Sequence, residues 1–237
     1  MKIFILFLLL AVPFLANAQA IRIPDPAFRQ QIIALGYDEN DNGKIEVSEV
    51  KNIKELVLKN LGIVNLEGIN SFTNLEELQI EQNKIAKLDV SKLKNLTGLY
   101  AWDNPLTEVN VTGLTKLKNF YVHNNGGNFG VERSFIRTLD VSTLSSLEDL
   151  RCSGNMLTSL DVSGLNKLES IQCFKNRLNS VSLRKAPNLK YVHIGNNPLE
   201  VTVDIRGLVN LEYFNCEGCK LLFLNMSGTV KLKELIW

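Results

Sequence analysis

Only two histidines occur in this 237-residue chain, and neither lies in an H-E-x-x-H pattern. A G-x-S-x-G elbow and a phosphate-cradling glycine loop are missing too. Hydrolytic, zinc-dependent and nucleotide chemistry each need such a constellation, so no enzyme is expected. Charge of one sign is also lacking: the formal net charge is +1. Affinity for nucleic acid or an anionic membrane rests on a basic excess, so neither partner is expected. Four cysteines are too sparse for a disulfide-stapled framework, which is dense and short. Past the first twenty residues no apolar run is long enough to span a membrane.

What is present begins with MKIFILFLLLAVPFLANAQA. Lys2, the apolar run Ile3 to Leu15 and Ala16-Asn17-Ala18 form a charged start, an apolar centre and an A-x-A cleavage site. The apolar run falls short of the roughly 20 residues of a spanning helix. Residues 1–18 are therefore expected to be a signal peptide, and the mature chain a secreted or cell-surface protein. Without Lys2, 25 basic residues face 25 acidic ones.

Self-similarity dominates the remainder. NLEELQIEQNKIAKLDVSKLK from Asn74 is followed by NLTGLYAWDNPLTEVNVTGLT from Asn95. SLEDLRCSGNMLTSLDVSGLN from Ser146 repeats the frame, as do stretches from Lys116, Lys167, Asn188 and Asn210. A degenerate first copy starts at Asn52, and KLKELIW opens a partial ninth after eight copies. The period is 21 residues, with 22 in the first and seventh copies and 30 in the fourth. The shared frame is L-x-x-L-x-L-x-x-N-x-L, then L-D-V-S-x-L.

This frame resembles the leucine-rich repeat family, in the short bacterial form of internalin-like secreted surface proteins, over residues 52–237. The resemblance implies an α/β solenoid: a right-handed leucine-rich repeat horseshoe with a parallel concave sheet. The residues ask for the same thing. L-x-L alternates in and out as a half-buried strand must, and one copy cannot bury its leucines without the next. The recurring Asn83, Asn104, Asn125, Asn155, Asn176 and Asn197 are expected to bond the backbone of neighbouring turns. Twenty-one residues leave no room for a full outer helix, so a short strand at L-D-V is expected. Cys152, Cys173 and Cys216 take the last apolar position of L-x-L, and Cys219 takes the place of the turn Asn. All four are expected to point inward as core thiols.

Residues 19–51 are expected to form a small helical N-terminal cap. Asp25 and Pro26 read as an N-cap and first helical residue, Phe28, Ile32 and Leu35 as the buried face, and Gly36 as the stop. DENDNGKIEVSE, residues 38–49, resembles an EF-hand or dockerin-type calcium loop. That resemblance implies Ca2+ ligands at Asp38, Asn40 and Asn42, the Lys44 carbonyl, Glu46, and a bidentate Glu49. Gly43 falls at the sharp turn. Weak binding is expected, on the order of 10⁻⁴–10⁻³ M.

Function on such a scaffold lives on outward side chains. Strand alternation aims Tyr100, Trp102, Tyr121 and His123 outward as one patch across copies three and four. Arg151, Phe174, Tyr191, His193 and Tyr213 continue it. Grouped exposed aromatics have the composition of a binding hot spot. Their truncation is expected to leave stability within about 0.5 kcal/mol. The insertion GGNFGVERSF, residues 126–135, is expected beside the same patch. The expected role is a binding module, a monomer recognising an extracellular protein through its concave face. A glycan ligand stays open, as does a structural segment of a longer surface protein, since Trp237 falls mid-strand.

Overall fold

The computed structural model describes residues 19–124, 135–200 and 202–237. The expected signal peptide 1–18, the expected ladder residue Asn125 and residues 126–134 of the insertion lie outside the described residues. Nine three-residue strands form one parallel sheet: Glu55–Val57, Glu77–Gln79, Gly98–Tyr100, Asn119–Tyr121, Asp149–Arg151, Ser170–Gln172, Tyr191–His193, Tyr213–Asn215 and Glu234–Ile236. They follow sequence order, one per copy and in constant register, so Leu78, Leu99, Phe120, Leu150, Ile171, Val192 and Phe214 stack in a buried column. A buried leucine column of this kind contributes about 1.5–3 kcal/mol per side chain.

The opposite side carries six short strands in three pairs: Lys87–Asp89 with Glu108–Asn110, Ser159–Asp161 with Ser180–Ser182, and Thr202–Asp204 with Phe223–Asn225. They sit at the expected L-D-V positions. The Asp of that motif closes a turn, as Asp89 accepts from Ser91 N–H at 2.9 Å, Asp140 from Ser142 at 2.9 Å and Asp161 from Ser163 at 2.8 Å. These Asx turns replace the outer helix that 21 residues cannot hold.

Between the two sides runs the asparagine ladder. Asn176 Nδ2 donates to the Cys152 carbonyl of the preceding copy at 3.0 Å and to its own Cys173 carbonyl at 3.1 Å, while its Oδ1 accepts Leu157 N–H at 3.0 Å. Asn83, Asn104, Asn155 and Asn197 repeat the pattern. The residue before each has left-handed backbone (Gln82, Asp103, Gly154, Lys175 and Asn196), which turns the chain off the sheet. Cys219 sustains the ladder in the eighth copy, its thiol donating to the Ile194 carbonyl at 3.4 Å.

Cys152, Cys173 and Cys216 are buried free thiols. Burial pushes Cys152 up to about 12 and Cys216 up to about 11. Cys219 departs from expectation by being half-buried, packed against the core without being enclosed by it.

Helix α1, Pro26–Ala34, has Asp25 as N-cap, accepting from Phe28 N–H at 3.0 Å. Phe28 and Ile32 are fully buried. Leu35 is a correction: it is the C-cap, leaves the helical face and is 43% exposed. Asp25 does more than cap. Its other oxygen accepts Val64 N–H at 2.8 Å and Asn65 N–H at 3.0 Å, tying the helix to the first copy. Gly68 permits that seat, since a Cβ there would stand 2.8 Å from the Arg22 carbonyl. Among the described residues no helix is long and apolar enough to cross a membrane.

Candidate functional site

Three rows of side chains line the concave face, set by the register. Tyr100 pairs with Tyr121, and Tyr121 with Arg151. Two residues on, Gln82 N–H donates to the Trp102 carbonyl and Asp103 N–H to that of His123, so Glu81, Trp102 and His123 stand in line. The structure thus brings together Tyr100, Trp102, Tyr121, His123 and Arg151 from three adjacent copies.

The rings form a packed cluster. Tyr100 meets Tyr121 edge-on at 5.2 Å and Trp102 edge-on at 6.1 Å, and Trp102 stacks on His123 at 5.5 Å with 9° between planes. Arg151 lies over the Tyr121 ring at 4.3 Å. Asp149 joins them, one oxygen accepting from the Tyr121 hydroxyl at 2.7 Å and from Arg151 Nη2 at 2.9 Å. Each ring is half-buried by its neighbours. That corrects the expectation of freely projecting side chains, because parity aims a ring outward but does not stop the next copy's ring from covering it.

A second group lies further along. Phe174 stacks on His193 at 4.3 Å, and Tyr191 on Tyr213 at 4.3 Å with planes 2° apart. Gly195 makes room, since a Cβ there would sit 3.1 Å from His193 Nε2. Gln172 alone separates His193 from Arg151 in their row, so both groups share one continuous face.

Burial dominates the electrostatics. It raises the Tyr121 hydroxyl, aided by the Asp149 carboxylate, and lowers both His123 and His193, leaving each imidazole neutral near pH 7. Among the described residues, three buried polar atoms here lack a hydrogen-bond partner: Glu81 Oε2, His123 Nδ1 and Asp149 Oδ1. Glu81, an outward position by parity, is only 5% exposed. Ser153 in the same row is likewise covered. Sequence reasoning missed Glu81 and Asp149, for their outward register gave no sign of burial.

The loop at 38–49 closes on itself. Gly43, at φ 75°, donates its N–H to Asp38 Oδ2 at 2.9 Å. Asn40 and Asn42 turn their amide nitrogens to Glu46, at 3.2 and 3.0 Å. Glu49 accepts Glu39 N–H with one oxygen and Glu46 N–H with the other, completing a capping box for the short helix α2, Val47–Val50. Among the described residues no three His, Cys, Asp or Glu side chains converge as a metal site. The donor set still suits a hard cation in kind. Asp38, Glu46 and Glu49 are all buried, and none has an ion-pair partner among the described residues. Three such carboxylates are costly without a counter-charge.

No family model matches the chain, and no curated protein does. Solved structures do match. A leucine-rich repeat protein of Leptospira interrogans superposes with a TM-score of 0.55 at 21% identity, over 71% of this chain and 50% of its own. A chain from the octameric complex of Latrophilin 3, Unc5D and FLRT2, in which FLRT2 supplies the leucine-rich repeats, gives 0.60 at 22% identity over 78% and 60%. The functional domain of InlJ from Listeria monocytogenes gives 0.42 at 21% identity over 91% and 66%. The chain therefore spans between half and two thirds of these proteins' length. The first two establish the architecture as a leucine-rich repeat solenoid with a parallel concave sheet.

Proposed function

We propose that this protein is an exported, internalin-like binding module that recognises an extracellular protein through its concave face. One observation carries the reading: the continuous aromatic face from Tyr100 to Tyr213, in which Tyr100, Trp102, Tyr121 and Arg151 are the residue types of interface hot spots. A protein ligand fits this face better than a glycan does. Sugar rings stack on flat, open aromatic platforms, whereas Trp102 is stacked on His123 and Tyr191 on Tyr213. Calcium belongs to the cap, where Asp38, Asn40, Asn42, the Lys44 carbonyl, Glu46 and Glu49 would hold it and the ion would supply the missing counter-charge. The deciding experiment offers immobilised parent and a Trp102→Ala/Tyr121→Ala variant to extracellular proteins, with a glycan array in parallel. A protein retained by the parent and lost by the folded variant supports the reading. Equal retention, or a hit on the glycan array alone, overturns it.

A further inference from the structure

The chain is almost neutral, but its concave face is not. The three concave rows carry six carboxylates, Glu55, Glu77, Glu81, Asp149, Glu217 and Glu234, against two fixed cations, Lys59 and Arg151. The net charge of that face is therefore about −4, the histidines being neutral. Acidic residues at the sheet's edge are handled differently. Glu76, Glu148, Glu169 and Glu212 each pair with a lysine of a neighbouring copy, at 2.6–3.1 Å. Of the six concave carboxylates only Asp149 has an ion-pair partner among the described residues.

A second observation is independent of the charge count. Glu81 is 5% exposed beside Trp102, and among the described residues neither its Oε2 nor Asp149 Oδ1 has a hydrogen-bond partner. A buried carboxylate oxygen without a donor is costly, and it persists where a ligand supplies the donor. Arg151 over the Tyr121 ring at 4.3 Å shows this face already accommodating one guanidinium against an aromatic ring.

We infer that the partner presents a basic segment to this face, its Lys or Arg side chains lying against Tyr100, Trp102 and Tyr121 and pairing with the carboxylates of Glu81 and Asp149. The inference rests on the concave-face reading above and names the chemistry of the partner. Glu81 and Asp149 lie three strands apart and four residues apart along the strand direction, about 20 Å in all at parallel-strand spacing and rise. Two separate basic side chains are therefore required, one for each carboxylate.

The test titrates the parent with a short oligoarginine peptide, and with oligoglutamine and oligoglutamate of the same length, by calorimetry at about 0.15 M salt, where screening extends over about 8 Å. Glu81→Gln and Glu217→Gln remove concave charge; Glu76→Gln and Glu169→Gln remove equal charge at the edge. Melts confirm that each variant is folded. The expected result is selective oligoarginine binding, about tenfold weaker in Glu81→Gln, weaker in Glu217→Gln, and unchanged in the edge variants. Equal weakening by edge and concave variants would reduce the effect to general charge and overturn the inference. Binding of a neutral or acidic peptide that is lost in Trp102→Ala would overturn the basic partner while leaving the concave face as the site. Absence of oligoarginine binding would also overturn the inference, and the protein-capture experiment would still judge the face by itself.

Discussion

At the scale of single residues, outward and inward positions respond to different losses. Asn176→Ala would strip the ladder bonds to Cys152, Cys173 and Leu157 from buried backbone groups. Each orphaned group costs about 1–3 kcal/mol, so a loss of about 3 kcal/mol is expected in urea unfolding with an unchanged slope. Leu99→Ala should cost about 2–5 kcal/mol through a core cavity. Trp102→Ala sits between these and a neutral surface change. Its ring packs on Tyr100, Tyr121 and His123, so a loss of about 1–2 kcal/mol is expected, more than outward parity alone implies. A Trp102→Ala melt indistinguishable from the parent would mean the cluster does not hold together in solution. The thiols offer a third reading. Cys152, Cys173 and Cys216 should resist a thiol reagent until the fold opens, while half-buried Cys219 reacts first, as mass spectrometry of the labelled protein would reveal.

At the scale of elements, the cap is joined to the repeats through Asp25. Burial would raise its carboxyl, but the N–H groups of Phe28, Val64 and Asn65 hold it below its ordinary value. Asp25→Ala removes both the helix cap and the tether, so a loss of about 2 kcal/mol is expected. Hydrogen exchange at Val64 and Asn65 should accelerate well before exchange in the strands. Protection there equal to the parent's would assign the tether to other contacts. The acidic loop yields a calcium prediction, with a confounding role to remove. Glu49 also caps α2, so Glu49→Ala lowers the melting temperature with or without calcium. The informative quantity is the shift between millimolar calcium and chelator, present in the parent and absent in Glu49→Ala. No shift in the parent would leave the loop a hydrogen-bonded turn.

At the scale of the whole molecule, stability should fall in two stages on acidification. Burial lowers His123 and His193, so the unfolded chain takes up protons first as pH drops through about 6.5. Stability is then full above that value and declines below it, until the folded imidazoles titrate. The second stage belongs to the aspartates. Asp140, Asp161 and Asp204 are held low chiefly by Ser142, Ser163 and Arg206, with Asp204 down to about 2. Their contribution is present above about 3.9 and is lost as pH falls through the folded values. Urea midpoints at pH 7.5, 5.5 and 3 should therefore decrease in that order. A midpoint that rises between the first two would contradict the burial of the histidines.

The 21-residue period, the inward column from Leu78 to Phe214, the asparagine ladder and the Asp25–Pro26 helix start could all be read from the sequence, because each depends on local spacing and on one copy meeting an equivalent copy. Strand parity likewise gave the direction of Tyr100, Trp102 and Tyr121. Their coverage was another matter. How deeply an outward side chain sinks depends on the sizes of its neighbours in the adjacent copies, which is why Glu81 and Ser153 are buried and the rings lean on one another. The bonds from Asp25 to Val64 and Asn65 cross about 40 residues of sequence and exist only once the helix has docked. The acidic concave face belongs to the same class: a chain with balanced charges becomes two-sided only when the register gathers one residue from each turn onto a common surface.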